Sequence, residues 1–298
     1  MKYILENSEL TVQFDTFGGQ LTSIKDKNGI EYLWQGNSAY WGGQAPVLFP
    51  IVGSLRDKKA VIGGNKACGM ERHGVVRKLE FEMLEKTDDS ITFSIRSNAE
   101  TLQRYPYDFQ LKIRYILSGR DVITEYTVIN QTKEEMPFQI GGHPGFNCPL
   151  TGDEAFEDYV VEFEQEETAD CPASVPSTGL VDVSVRSRIL DRSKILKMDH
   201  SLFQVDALIF DRLKSRRAKL YNPGTGRGVQ VSFADFDYFL LWSSANNGPF
   251  VALEPWSGLS TCSDEGDIFE EKRGVYLLQE KQSKSVSFTI TVVNEKSI

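Results

Sequence analysis

Leu111-Lys112-Ile113-Arg114-Tyr115-Ile116-Leu117-Ser118-Gly119-Arg120-Asp121-Val122-Ile123-Thr124-Glu125-Tyr126-Thr127-Val128 is the stretch that decides the fold. Leu111, Ile113, Tyr115 and Leu117 recur at every second position, as do Val122, Thr124, Tyr126 and Val128 after the turn residues Ser118-Gly119-Arg120-Asp121. Alternation of this kind puts one face of a strand in a core and the other in water, and a turn between two such runs predicts an antiparallel hairpin. The pattern extends in both directions. Leu10, Val12 and Phe14 alternate ahead of Gly18-Gly19, Leu21 and Ile24 follow, and Asn28-Gly29 is a strong hairpin signal before Ile30 to Trp34. Phe81 and Met83 face Ile91, Phe93 and Ile95 across the turn-like Thr87-Asp88-Asp89-Ser90.

Further strands are expected at 159–163, 207–210, 218–221, 228–233, 238–242, 250–253, 274–278 and 285–293. No helix-period stretch of useful length occurs. Thr101 to Arg104 predicts a single turn stopped by Tyr105-Pro106, and Asp264 to Lys272 another. The segment from Cys171 to Ser187, with Pro172, Pro176 and Gly179, reads as a long excursion loop. Many short strands with turns between them imply an all-β sandwich or barrel. Without a linker, composition shift or repeat, residues 1–298 read as one domain, a large antiparallel β-sandwich.

The formal net charge of −9 argues against nucleic acid or an anionic membrane surface as a partner. No apolar run is long enough to span a membrane, and Met1-Lys2-Tyr3-Ile4-Leu5-Glu6 is charged before a signal-peptide core forms, so a cytoplasmic protein is expected. Cys68, Cys148, Cys171 and Cys262 are too scattered for a zinc site and read as reduced thiols.

Only three histidines occur in the 298 residues, and two lie in glycine-marked loops: Glu71-Arg72-His73-Gly74 and Gly141-Gly142-His143-Pro144-Gly145-Phe146-Asn147. Histidine holds or releases a proton near neutral pH, and the rigid Gly-Gly-His-Pro-Gly turn would project its imidazole at a strand end. His200, in Met198-Asp199-His200-Ser201, reads as an ordinary loop residue. Glu254 ends the apolar run Phe250-Val251-Ala252-Leu253 beside Pro255 and Trp256. Drawn out of water, a carboxylate becomes a stronger base, and Trp256 offers a flat face to a small polar ligand.

Together with Phe14-Asp15-Thr16-Phe17-Gly18-Gly19-Gln20-Leu21, Pro46-Val47-Leu48-Phe49-Pro50-Ile51-Val52-Gly53, Asp206-Ala207-Leu208-Ile209-Phe210 and Glu254-Pro255-Trp256-Ser257-Gly258, these motifs resemble the aldose 1-epimerase (mutarotase) family. The likeness runs through nearly the whole chain in the family's order, nearest the branch found with lactose-utilisation operons. It implies the galactose mutarotase-like supersandwich and an enzyme that interconverts the α and β anomers of a hexose by opening and closing its ring. It also implies roles: Glu254 as base, His143 as acid, and His73, Asp206 and Arg56 binding the sugar. Phe146, Asn147 and Trp256 are the candidate pocket walls. No metal or organic cofactor is implied, and the expected partner is a monosaccharide or sugar phosphate, with the protein a monomer or homodimer. Family members usually carry arginine where this chain has Ser54. Arg56, one strand period further on, could supply the guanidinium, or pair with Asp57 as a surface charge.

Other readings compete. His73, His143 and Glu254 form the donor set of a non-haem iron site. Cys148, close to His143, is a conceivable nucleophile with no orienting third member. A hexose-6-phosphate 1-epimerase would need extra cations near the pocket, for which Arg56 and Arg72 are at hand. The same fold could also bind sugar without turning it over. The joint presence of His143 and Glu254 favours catalysis, since binding alone needs no acid–base pair.

Overall fold

The computed structural model describes residues 1–294. Its central hairpin joins Phe109–Ser118 to Asp121–Asn130, pairing Tyr115 with Thr124 and Ser118 with Asp121. Gly119 turns the chain at φ +57°, which glycine adopts without a steric penalty. The alternating residues, Leu111 to Leu117 and Val122 to Val128, are buried.

This hairpin lies within a nine-stranded antiparallel sheet. In spatial order its strands are Leu180–Lys197, Val160–Val175, Arg217–Asn222, Arg227–Ser232, Ser283–Asn294, Asp121–Asn130, Phe109–Ser118, Ser90–Arg96 and Glu82–Lys86. A second sheet runs Leu208–Phe210, Tyr238–Trp242, Phe250–Trp256, Gly141–Gly142 and Val47–Leu48, with Gly145–Asn147 also paired to Phe250–Trp256. One apolar core takes side chains from both sheets, among them Ile113, Tyr115 and Ile290 from the first and Phe239, Leu241, Val251 and Leu253 from the second. The architecture is thus a large antiparallel β-sandwich, flanked by the three-stranded sheet Lys2–Glu6, Leu10–Asp15 and Gln20–Asp26.

The Phe250–Trp256 strand is buried along its whole length and has two occupied faces. Val251 and Leu253 enter the main core, while Trp256 joins a smaller apolar cluster with Leu48, Val52, Val181, Ile209, Leu240, Leu259 and Cys262. Strand alternation therefore sends Glu254 to the same face as Trp256. That face is covered by the tip of the Val160–Val175/Leu180–Lys197 hairpin, where Val181 N–H donates to Thr261 O (3.2 Å) and Ser263 N–H to Val181 O (2.8 Å).

Several sequence expectations change here. The 171–187 segment is not an excursion loop but the outer part of that hairpin, including its turn. Its strands lie at the sheet's edge and shift register beside Pro172, the setting in which a strand tolerates proline. Ile30 to Trp34 makes isolated bridges rather than a strand, because Leu33 and Trp34 leave the hairpin to join Gly145 and Phe146. The turn near 101–104 is the helix Ala99–Arg104, capped by Asn98, and that near 264–272 shrinks to a 3-10 turn at Phe269–Glu271.

Candidate active site

His73, His143, Asp206 and the strand pair Glu254 and Trp256, from four separate parts of the sequence, line one cavity of about 250 Å³. It opens on the covered face of the second sheet. Glu254 and Trp256 rise from the floor with Leu240 and Trp242 of the paired strand, and Ser174, Gly179, Leu180 and Val181 of the hairpin tip roof it.

His143 follows Gly141–Gly142, and backbone hydrogen bonds fix the turn. His143 N–H donates to Pro46 O (3.2 Å), Gly145 N–H to Gln44 O (2.8 Å) and Leu253 N–H to Pro144 O (3.1 Å). The imidazole is boxed by rings. Trp41 stacks on it at 4.7 Å, while Trp242 and His73 approach edge-on, each at 5.5 Å. Its Nε2 lies 3.3 Å from Glu254 Oε2. Both groups are buried, and although the distance is within hydrogen-bond range, Oε2 makes no aligned hydrogen bond. Burial pushes the Glu254 carboxyl well above the usual carboxylate range, the more so for facing Asp206; Arg72 and the nearby indole N–H of Trp256 offset part of this. Burial also pushes His143 down to about 3, with Arg72 adding to the effect. Burial thus disfavours charge on either group, so the neutral carboxylic acid and the neutral imidazole are the favoured forms.

His73 sits at φ +70°, and its backbone N–H donates to Gly53 O (2.8 Å). The Gly53 N–H in turn donates to His73 Nδ1 (3.1 Å). With Nδ1 accepting, the ring proton resides on Nε2. Burial first, then the positive charge of its neighbours, pushes His73 well below the usual histidine value, so it is a neutral donor. Gly74 is held at φ +82°, where any Cβ would come within 2.1 Å of Phe49 O. Asp206 is near-buried, with Arg72 Nη2 at 3.6 Å from Oδ2.

Three expected site residues lie elsewhere. Arg56 does not follow strand periodicity, because Arg56–Lys58 is a 3-10 turn with Asp57 at φ 50°. Its guanidinium pairs with Asp267 (2.7 Å) and donates to Glu265 O (2.9 Å), outside the cavity. Phe146 pairs with Val251 and is 0% exposed in the main core. Asn147 donates its carboxamide N–H to Glu31 O (2.8 Å) instead. His200 stacks on Phe156 at 3.8 Å, away from the site. The sequence reading also missed Trp41, Trp242, Arg77 and the hairpin tip, which no local motif marks. Among the described residues, no three His, Cys, Asp or Glu side chains are grouped to hold a metal ion.

The family model described as aldose 1-epimerase matches residues 1–269. The chain belongs to the aldose 1-epimerase family. As such it is an isomerase of the aldose 1-epimerase type. Two related proteins of Lactococcus lactis subsp. lactis, the plasmid and chromosomal forms of protein LacX, are each 49% identical to it over 97% of this chain and 99% of their own. A galactose mutarotase related enzyme of Lactobacillus acidophilus superposes with a TM-score of 0.92 at 31% identity, covering 98% of this chain and 97% of the other. A galactose mutarotase-like protein of Lactobacillus casei gives a TM-score of 0.86 at 27% identity, over 98% of this chain and 100% of its own. Within this aldose 1-epimerase, Ser54 takes the place of the arginine expected from the resemblance, and the hairpin tip rests on it. A Cβ on Gly179 would meet Ser54 Oγ at 2.8 Å.

Proposed function

We propose that this protein interconverts the anomers of an aldohexose, with Glu254 and His143 as the proton-transfer pair. The observation that carries the reading is the 3.3 Å approach of their buried reactive atoms in one small cavity. Pockets for drug-sized ligands run to about 300–1,000 Å³, so about 250 Å³ suits one sugar ring.

In ring opening, Glu254 as carboxylate takes the C1 hydroxyl proton while His143 as imidazolium gives its proton to the ring oxygen. The C1–O bond to the ring breaks and the aldehyde forms. Glutamic acid and neutral imidazole remain, the forms that burial favours. After rotation about C1–C2, the C5 hydroxyl attacks the other face of the carbonyl. His143 takes the proton of that hydroxyl and Glu254 returns one to the carbonyl oxygen. Protons balance at every step without a cofactor. His73 Nε2–H donates to the ring oxygen or a neighbouring hydroxyl, Asp206 accepts from sugar hydroxyls, and Trp41, Trp242 and Trp256 pack on the C–H faces. The four cysteines are unpaired thiols, which fits a reducing cytoplasm.

Anomer exchange followed by proton NMR tests the reading on glucose, galactose and their 6-phosphates. Glu254→Gln is expected to lower the catalysed rate about 10²- to 10⁴-fold. Wild-type exchange no faster than the uncatalysed rate for every sugar, in folded protein, would leave only a sugar-binding role.

A further inference from the structure

The two histidines of the cavity are held in different ways. His73 Nδ1 accepts from Gly53 N–H (3.1 Å), which fixes its ring plane and its tautomer together. His143 Nδ1 is buried and has no hydrogen-bond partner among the described residues. A functional imidazole is aimed by a hydrogen bond at its second nitrogen or by packing on its ring, and for His143 only packing is left. Trp41 stacks on it with centroids 4.7 Å apart and planes 23° from parallel, while Trp242 and His73 stand edge-on at 87° and 81°. Turning the imidazole about its Cβ–Cγ bond would drive ring atoms into the indole face.

Trp41 is itself anchored. Its backbone N–H donates to Asn37 O (2.8 Å), and its carbonyl accepts from the Trp34 indole N–H (2.8 Å). Its ring stacks on Phe250 at 5.5 Å and meets Trp242 edge-on at 5.4 Å. Phe250 begins the strand that carries Glu254, so the plate lying on the acid is braced on the element that bears the base. Two glycines make room for it. A Cβ would come within 2.5 Å of Trp41 Cζ2 at Gly43 and within 2.8 Å of Cζ3 at Gly145, the closing glycine of the Gly-His-Pro-Gly turn.

We propose that Trp41 is a positioning residue for anomer exchange, its stacked indole holding the His143 imidazole with Nε2 directed at Glu254. The inference rests on the reading of His143 as the acid, and it is separate from any contact of Trp41 with the sugar. An indole face also favours a cation lying over it, so the stack supports the imidazolium that ring opening consumes.

Anomer exchange and proton NMR of the three histidine rings are measured on wild type, Trp41→Leu, Trp41→Phe and Gly43→Ala. In wild type the His143 ring C–H signals should lie upfield, shifted by the indole ring current. Trp41→Leu should lose that shift and lower kcat about ten- to a hundredfold with KM within about threefold, since a misplacement of about 1 Å costs up to about 10²-fold. Trp41→Phe keeps an aromatic face and should retain a smaller shift and most of kcat. Gly43→Ala keeps the tryptophan but displaces its ring, so it should act as Trp41→Leu does, and it decides the matter if Trp41→Leu does not fold. An unshifted His143 ring in wild type overturns the proposal, as does a rise in KM at unchanged kcat or an equal loss in the leucine and phenylalanine variants. Shifted His143 signals in a wild type that exchanges no sugar sink the epimerase reading alone. Glu254-dependent exchange with kcat unmoved by Trp41→Leu or Gly43→Ala sinks this inference alone.

Discussion

His73 occupies a backbone conformation in which most side chains are strained and asparagine is among those tolerated. That makes His73→Asn an informative substitution. Its side-chain oxygen can take the Gly53 N–H now accepted by Nδ1, keeping the loop, while the Nε2–H, the proposed donor to the sugar, is lost. One neutral hydrogen bond is worth about 0.5–1.5 kcal/mol, so KM should rise roughly two- to tenfold with kcat little changed. A fall in kcat at constant KM would instead place His73 in the proton transfer. At this scale the sequence was legible where a residue type and a loop context coincide, as for His73, His143 and Glu254. It was illegible where placement depends on the turn taken. Arg56 was assigned by strand periodicity and lies in a 3-10 turn facing Asp267, whereas Arg77, without a motif, lines the cavity. Trp41 and Trp242, which box His143, come from separate segments that only the folded sheet brings together.

The strands that position the site were largely readable, because alternation in a half-buried strand records which face is inside. The Phe250–Trp256 strand was harder, since burial on both faces erases the alternation and left the aim of Glu254 to its neighbours. Only the base of the long edge hairpin, at 159–163, is legible; its outer part is not, because Pro172 and Pro176 signal a loop where an irregular edge strand and its turn accommodate them. Yet that hairpin roofs the cavity, and its tip rests on Ser54 through Gly179. Restoring the expected arginine tests this packing. Ser54→Arg needs the volume that the tip fills, so the tip should lift, KM should rise and a protease should begin to cut within 171–187. Tighter substrate binding with the hairpin still resistant would show that the pocket has room for the arginine and that the tip is not its substitute.

The whole molecule bears a cost for its buried carboxyl. Glu254 ionises at about 4.5 in the unfolded chain and well above that in the fold, where burial opposes the charge. A folded value raised in this way gives stability that is complete below the unfolded value and lost as pH rises through the folded one. The loss reaches about 1.4 kcal/mol per pH unit within that window. His143 acts with the opposite sign. Its value is depressed to about 3, so its contribution is complete above about 6.5 and lost as pH falls. Glu254→Gln removes the first effect while keeping the shape of the side chain. The melting temperature of the variant should match wild type at pH 4 and exceed it by a margin that grows toward pH 8. A constant difference across that range, or a variant less stable at pH 8, would mean that the carboxyl is satisfied as an anion in the free protein. Read beside the exchange assay, a variant both slower and more stable identifies Glu254 as a group retained at the expense of the fold, as a site tuned for proton transfer requires.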